Sequence, residues 1–257
     1  MTRLYLVGLG LSPAFLTDAA REAIRDSQCV FVDIYTSYLD LAALGVEARP
    51  LDRKELEDRG GAAIEECLKA GRNAALLVPG DPMAATAHAA LVASMRRKGF
   101  EVVVVPGVSA ICAAMSAACL SIYKLGGVAT VTYPRMGVYS ARPYELAEQN
   151  LARGLHTLLL LDIKDEGGFM PPSDAARVLM ELEERFGRGV FIGERQVVVA
   201  YRLGWPGGGA AVGSLEDAAE SRLPAPAVLI VPGQLNPVEE ECLSTLPKIA
   251  EVDKLLT

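Results

Sequence analysis

Short runs of leucine and β-branched residues alternate along the chain with segments whose apolar positions recur every three to four residues, the pattern of strands each followed by a helix. Leu4-Tyr5-Leu6-Val7 predicts a strand, and residues 17–27 a helix capped by Thr17 or Asp18. Next come a strand over 29–34, a helical region over 53–70 broken at Gly60-Gly61, and a strand over 74–78. A helix over 86–97, a strand over 101–105 and an apolar helix over 109–120 close this series. Unbroken runs such as Val102-Val103-Val104-Val105 belong in a sheet that helices cover on both faces.

A second series starts near Gly126-Gly127, with strands over 128–133 and 156–163 and helices over 143–152 and 173–186. Strands over 196–202 and 228–231 follow, with residues 204–211 read as a glycine-rich loop between them. The last predicted helix, 237–246, opens with Pro237 at its first position and Glu239, Glu240 and Glu241 in its first turn, where the helix dipole favours carboxylates. The expected fold class is α/β, in two α/β domains, 1–122 and 123–257.

Composition narrows the partners. Hydrophobic residues make up 51% of the 257-residue chain and charged residues 22%, enough apolar surface for a sizeable core. The net charge of -7, without a Lys/Arg-rich run, excludes the concentrated basic face of a nucleic-acid binder. The longest apolar stretch, 108–123, falls short of the roughly 20 residues that span a membrane, and no signal-peptide pattern is present, so a cytoplasmic protein is expected. Five widely spaced cysteines without a C-x-x-C pair read as reduced, mostly buried thiols. Two histidines far apart, His88 and His156, offer few ligands, so no metal is expected.

In an α/β sheet ligands bind beyond the carboxyl ends of the strands. Gly8-Leu9-Gly10-Leu11-Ser12-Pro13 follows the first strand, but Pro13 stands where a dinucleotide fingerprint needs glycine, although Asp33, at the end of the second strand, sits about where a ribose-binding carboxylate is expected. Pro79-Gly80-Asp81-Pro82 is a rigid loop in which Asp81 either faces a ligand or caps the next helix. Pro106-Gly107-Val108-Ser109-Ala110-Ile111 is another tight turn into a helix start. Leu161-Asp162-Ile163-Lys164 ends a strand in a pocket rim or a salt bridge, and His156, at the far end of its strand, is read as structural. Motifs of serine hydrolases, zincins and P-loop enzymes are absent, which suits chemistry carried by an activated cofactor.

Taken in order, Gly8-Leu9-Gly10-Leu11, Tyr35-Thr36-Ser37, Gly80-Asp81-Pro82, Ala85-Thr86-Ala87-His88, Ile122-Tyr123-Lys124, Gly154-Leu155-His156-Thr157, Leu161-Asp162-Ile163-Lys164 and Val231-Pro232-Gly233 resemble the diphthine synthase family. The resemblance runs from Leu4 to about Leu246. It implies tetrapyrrole-methylase-type class III methyltransferases with two α/β domains, a cofactor cleft between them, a homodimer, and S-adenosylmethionine as cofactor. It also implies methylation of the amine of a 3-amino-3-carboxypropyl-histidine on translation elongation factor 2, to the trimethylated product in archaeal members.

Carried over residue by residue, the family's cofactor contacts fall on Leu11, Asp81, Ala84, Ala110, Ile111, Leu161, Leu203 and Ala227. At Ala110 the family often has serine, and at Ala227 related sequences often carry histidine. The Gly-Ala-Gly-Pro-Gly-Asp opening of porphyrin-methylating relatives is replaced here, which lowers a tetrapyrrole substrate. Tyr35, Asp162 and His88 are the candidate polar groups on the substrate side, and no general base is assigned. The competing classes are a dinucleotide oxidoreductase using Gly8, Gly10 and Asp33, and a non-catalytic scaffold of the translation machinery.

Overall fold

The computed structural model describes residues 2–34, 45–52, 54–163 and 168–256. Tyr35, Thr36, Ser37 and Lys164 therefore lie outside the described residues. The chain divides into two compact units, Met1–Ala110 and Ile111–Thr257.

In the first unit β1 (Arg3–Gly8), α1 (Asp18–Arg25), β2 (Cys29–Asp33) and β3 (Arg49–Leu51) come first. After them follow α2 (Ala62–Lys69), β4 (Ala74–Val78), α3 (His88–Arg97) and β5 (Glu101–Val105). The five strands form one sheet in the order β3-β2-β4-β1-β5, and every pair is parallel. Side chains alternate across a strand, so Leu4 and Leu6 of β1 pack on one face with Ile64, Leu91 and Met95 of α2 and α3. Tyr5 and Val7 pack on the other with Ala20 and Ala23 of α1. Thr17 caps α1, accepting the Ala20 N–H at 3.1 Å. The helical region broken at Gly60-Gly61 is a helical turn, Lys54–Asp58, followed by α2.

The second unit carries α4 (Ala110–Ala117, which begins at the division), β6 (Leu125–Val131), α5 (Arg142–Ala152), β7 (His156–Leu161) and α6 (Pro172–Phe186). It continues with β8 (Gln196–Tyr201), β9 (Gly209–Ser214), α7 (Leu215–Glu220), β10 (Ala227–Val231), α8 (Pro237–Thr245) and α9 (Ile249–Leu255). The sheet order is β6-β7-β10-β8-β9, with only β6 and β7 parallel. Val131, Leu159, Val197, Val199, Leu229 and Val231 form one face of a core closed by α5, α6 and α7.

Several expectations are corrected. The segment read as a glycine-rich loop contains the first half of β9: Gly209-Ala210-Ala211 lacks strong strand formers, but pairing with β8 supplies the ladder that local preference does not. α8 is not the last helix, because α9 follows it.

The cysteines also depart from reduced, mostly buried thiols. Cys29 of β2 and Cys67 of α2 form a disulfide, while Cys112 and Cys119 are exposed and Cys242 is half-buried. Packing of α2 on the sheet brings together two cysteines that are 38 positions apart, which no spacing rule reveals.

Candidate functional site

Three loops leave the carboxyl edge of the first sheet and lock together. Leu9 N–H donates to Val78 O at 2.9 Å, and Gly10 and Gly80 exchange two backbone hydrogen bonds of 3.1 and 2.8 Å. That bridge joins the loops after β1 and β4. The third loop, after β5, is joined by Asp81, whose Oδ2 accepts the Gly107 N–H at 3.2 Å while Oδ1 accepts the Met83 N–H at 2.9 Å. Asp81 therefore does not cap α3, whose N-cap is Ala87. It is an acceptor-rich carboxylate at a sheet edge, with lone pairs left for a hydroxyl or a cation.

Glycine is required in this junction because the backbones touch. A Cβ on Gly107 would lie 2.2 Å from Gly80 O, and one on Gly8 would lie 2.5 Å from Gly107 N. Beside Gly80 there is room: its added Cβ would meet only Leu11 Cδ2, at 4.0 Å. The Ser12 hydroxyl in the first of these loops is fully buried and has no hydrogen-bond partner among the described residues.

Beneath the junction, His88 and Asp33 form a buried pair. His88 Nε2 lies 3.1 Å from Asp33 Oδ2 and Nδ1 lies 2.9 Å from Pro82 O, so both ring nitrogens face acceptors and the imidazolium suits both. Burial acts to lower the His88 pKa, but the Asp33 carboxylate and the Pro82 carbonyl outweigh it and the value is raised. Thr86 Oγ1 donates to the same carbonyl at 2.8 Å. With both nitrogens committed, His88 cannot accept a proton from a substrate. Asp33, fully buried against it, is equally unsuited to a ribose, which removes the dinucleotide alternative.

The pair makes stability depend on pH. The His88 pKa is raised on folding, so its contribution is complete below the unfolded value of 6.5 and is lost as pH rises through the folded value. The difference in melting temperature between the wild type and Asp33→Asn should therefore be largest below pH 6.5 and shrink at alkaline pH. A difference that grew with pH would contradict a charged His88.

In the second unit, three strand ends converge. Val228 of β10 pairs with Leu160 of β7, so Ala227 and Leu161 stand level one step further on. Ala227 also pairs with Tyr201 of β8, and Arg202 N–H donates to Pro226 O at 2.8 Å, carrying Leu203 to the same edge. Asp162 follows β7 and accepts the N–H groups of Tyr133 and Ile163 at 3.0 Å each. The Tyr133 hydroxyl donates to Asp174 Oδ2 at 2.6 Å, and burial, with that carboxylate, pushes its pKa upward.

His156 belongs to the opposite edge and is structural. Its Nδ1 accepts the Gly233 N–H at 2.9 Å, which leaves Nε2 to carry the proton toward Glu239 Oε1 at 3.1 Å. Burial, the largest influence, lowers its pKa, so it is the neutral counterpart of His88.

The structure brings Leu11, Asp81, Ala84 and Ala110 to the loops and helix start at the carboxyl edge of the first sheet, with Ile111 next on α4. Leu161, Leu203 and Ala227 meet at one edge of the second sheet. All eight are half-buried. The left-handed backbone at Ala85 (φ 57) and Arg202 (φ 45), beside Ala84 and Leu203, went undetected in the sequence because nothing but glycine signals that conformation locally. Tyr35 lies outside the described residues. Among the described residues no cluster of three or more His, Cys, Asp or Glu is placed to hold a metal, and no helix is long and apolar enough to cross a membrane.

Comparison with known proteins matches residues 3–219 to the family of tetrapyrrole (corrin/porphyrin) methylases. The chain is 59% identical over 247 residues to a diphthine synthase of Pyrobaculum calidifontis, covering 95% of this chain and 98% of that one. It is 37% identical over 255 residues to a diphthine synthase of Metallosphaera sedula, covering 96% and 100%. A crystal structure of diphthine synthase superposes with a TM-score of 0.84 at 28% identity, covering 99% of this chain and all of that one.

Proposed function

The chain belongs to the tetrapyrrole methylases and, within them, to the diphthine synthases, and from this premise we propose how its residues carry out methyl transfer. It is an S-adenosylmethionine-dependent methyltransferase of diphthamide biosynthesis, acting on the 3-amino-3-carboxypropyl-histidine of elongation factor 2. The observation that carries the site assignment is the interlocked junction that fixes Asp81 at the sheet edge beside the space over Gly80.

These residues fit the cofactor chemically. Leu11, Ala84, Ala110 and Ile111 offer apolar surface and backbone groups, and Asp81 offers acceptors for a ribose hydroxyl or a cationic centre. Leu161, Leu203 and Ala227 are assigned to the same cofactor. Left-handed, strained backbone beside Ala84 and Leu203 supports the assignment, since such strain gathers at ligand sites. When bound, S-adenosylmethionine supplies an already activated methyl group.

The protein's share is then positioning and exclusion of water. The substrate amine must be neutral to attack, and a dry, apolar environment lowers an amine's pKa by disfavouring the ammonium. His88 is excluded as the proton acceptor. Asp162, held by two backbone N–H groups with lone pairs to spare, is the described polar side chain placed to orient the amine. Tyr35 is assigned to the substrate side on the family resemblance alone.

Asp81→Ala should weaken S-adenosylmethionine binding by at least about tenfold, the equivalent of about 1.4 kcal/mol. Calorimetry on the folded variant measures this, and unchanged affinity would remove the site from this edge. Incubation with labelled cofactor and premodified elongation factor 2 tests transfer directly. Mass spectrometry of the product should show addition of three methyl groups. We further assign the chain to the cytoplasm as a homodimer that binds neither nucleic acid nor membrane, and equilibrium sedimentation tests the dimer.

A further inference from the structure

Apart from the disulfide, three cysteines are free: Cys112, Cys119 and Cys242. Cys119 and Cys242 stand far apart in sequence but meet through α8. Glu239 and Cys242 are one turn apart on that helix and so share a face. Glu239 Oε1 accepts the Ser121 N–H at 3.1 Å, and Lys124 Nζ lies 2.6 Å from Glu239 Oε2. The segment after α4 is thus pinned along α8, and Cys119, two residues before Ser121, arrives beside Cys242. The two thiols are close enough to interact.

The backbone holds Cys119 in place. α4 ends in a turn where the Cys119 N–H donates to Ser116 O at 3.1 Å and the Leu120 N–H to Met115 O at 3.0 Å. The residue in this position adopts left-handed backbone, normally supplied by glycine, yet here a cysteine takes it with φ 52. Cys119 is exposed, whereas Cys242 is half-buried.

We propose that Cys119 and Cys242 form a redox-active dithiol that a low-molecular-weight disulfide converts into a second intrachain disulfide. The Cys119 thiolate attacks the oxidant, forming a mixed disulfide and expelling one thiol. The Cys242 thiolate then attacks the Cys119 sulfur and expels the second thiol. The chain loses two protons and two electrons, and the oxidant becomes two thiols. Burial, with Cys119 beside it, pushes the Cys242 thiol up, which suits the second, resolving step better than the first. The product would tie the end of α4 to α8.

The test treats the full chain under native conditions with oxidised glutathione, blocks remaining thiols by alkylation, and maps peptides without reduction. A peptide pair joined through Cys119 and Cys242, with Cys112 alkylated, is expected. Closing so long a loop should raise the melting temperature by about 5 to 10 °C. Alkylation of all three cysteines, glutathione held separately on Cys119 and Cys242, or cross-links between two chains would each overturn the proposal. Cys242→Ser should trap glutathione on Cys119, and recovery of an unmodified Cys119 from that variant would count equally against it.

Discussion

Gly107→Ala should cost about 3 kcal/mol, near the upper end for overpacking, and lower the melting temperature by about 6 to 12 °C for a chain of this size. The added methyl would sit 2.2 Å from Gly80 O and 2.8 Å from the Gly8 carbonyl carbon, and both are backbone atoms that cannot rotate away. The three loops must therefore separate. Separation lengthens the 3.2 Å bond from the Gly107 N–H to Asp81 Oδ2, so cofactor affinity should fall together with stability.

Gly99→Ala is the contrast. Nothing lies within 4 Å of its added Cβ, but the backbone there has φ +86, so only conformational strain of about 1 to 2 kcal/mol is expected and cofactor affinity should not change. Thermal unfolding and calorimetry on both variants separate the two effects. A Gly107→Ala protein as stable as the wild type would mean that the loops are not in contact.

Glu239→Ala should cost about 2 to 4 kcal/mol, because it leaves the half-buried Lys124 ammonium and three N–H donors without their shared acceptor. The Glu239 side chain is only 4% exposed. Its carboxylate accepts from Ser121 N and His156 Nε2 at 3.1 Å each, from Asn236 N at 3.0 Å and from Lys124 Nζ at 2.6 Å. Lys124 also reaches Gln234 O. One side chain thus joins α8 to the segment before β6 and to the start of β7.

Burial alone would raise the Glu239 pKa, but the ammonium and the N–H donors outweigh it and bring it down to about 2. A carboxyl group with a depressed folded pKa stabilises above its unfolded value and loses that contribution as pH falls through the folded value. The gap between the wild type and Glu239→Gln should therefore be complete above pH 4.5 and close as pH falls toward about 2. Denaturant titrations across that range measure it. Stability within about 1 kcal/mol of wild type for Glu239→Ala at neutral pH would show that the cluster is dispensable.

Glu239 shows how far a linear reading reaches. Its place in the first turn of a helix opened by Pro237 was visible, as was a favourable helix dipole. The Asn236 cap and the reciprocal bond from Glu239 to the Asn236 N–H follow the same local logic. Its partners Lys124 and His156 come from distant segments, and nothing local announces them. His88 and His156 make the same point. Both lie in unremarkable surroundings in the sequence, yet two acceptors favour the charged form of one, while burial and a backbone donor favour the neutral form of the other.

By itself the sequence determined the α/β class, the order of most elements and the loops at the carboxyl edge of the first sheet, since strand and helix periodicities and glycine and proline positions are local properties. Resemblance of its motifs to a family supplied the reaction and cofactor. Only the tertiary structure decided that the second sheet is mostly antiparallel, that weakly strand-forming residues make β9, that Cys29 and Cys67 are joined, and that Asp81 is clamped to Gly107. Each of these depends on which distant segments touch, and contact between segments far apart in the chain is set by packing of the whole, not by neighbours in sequence.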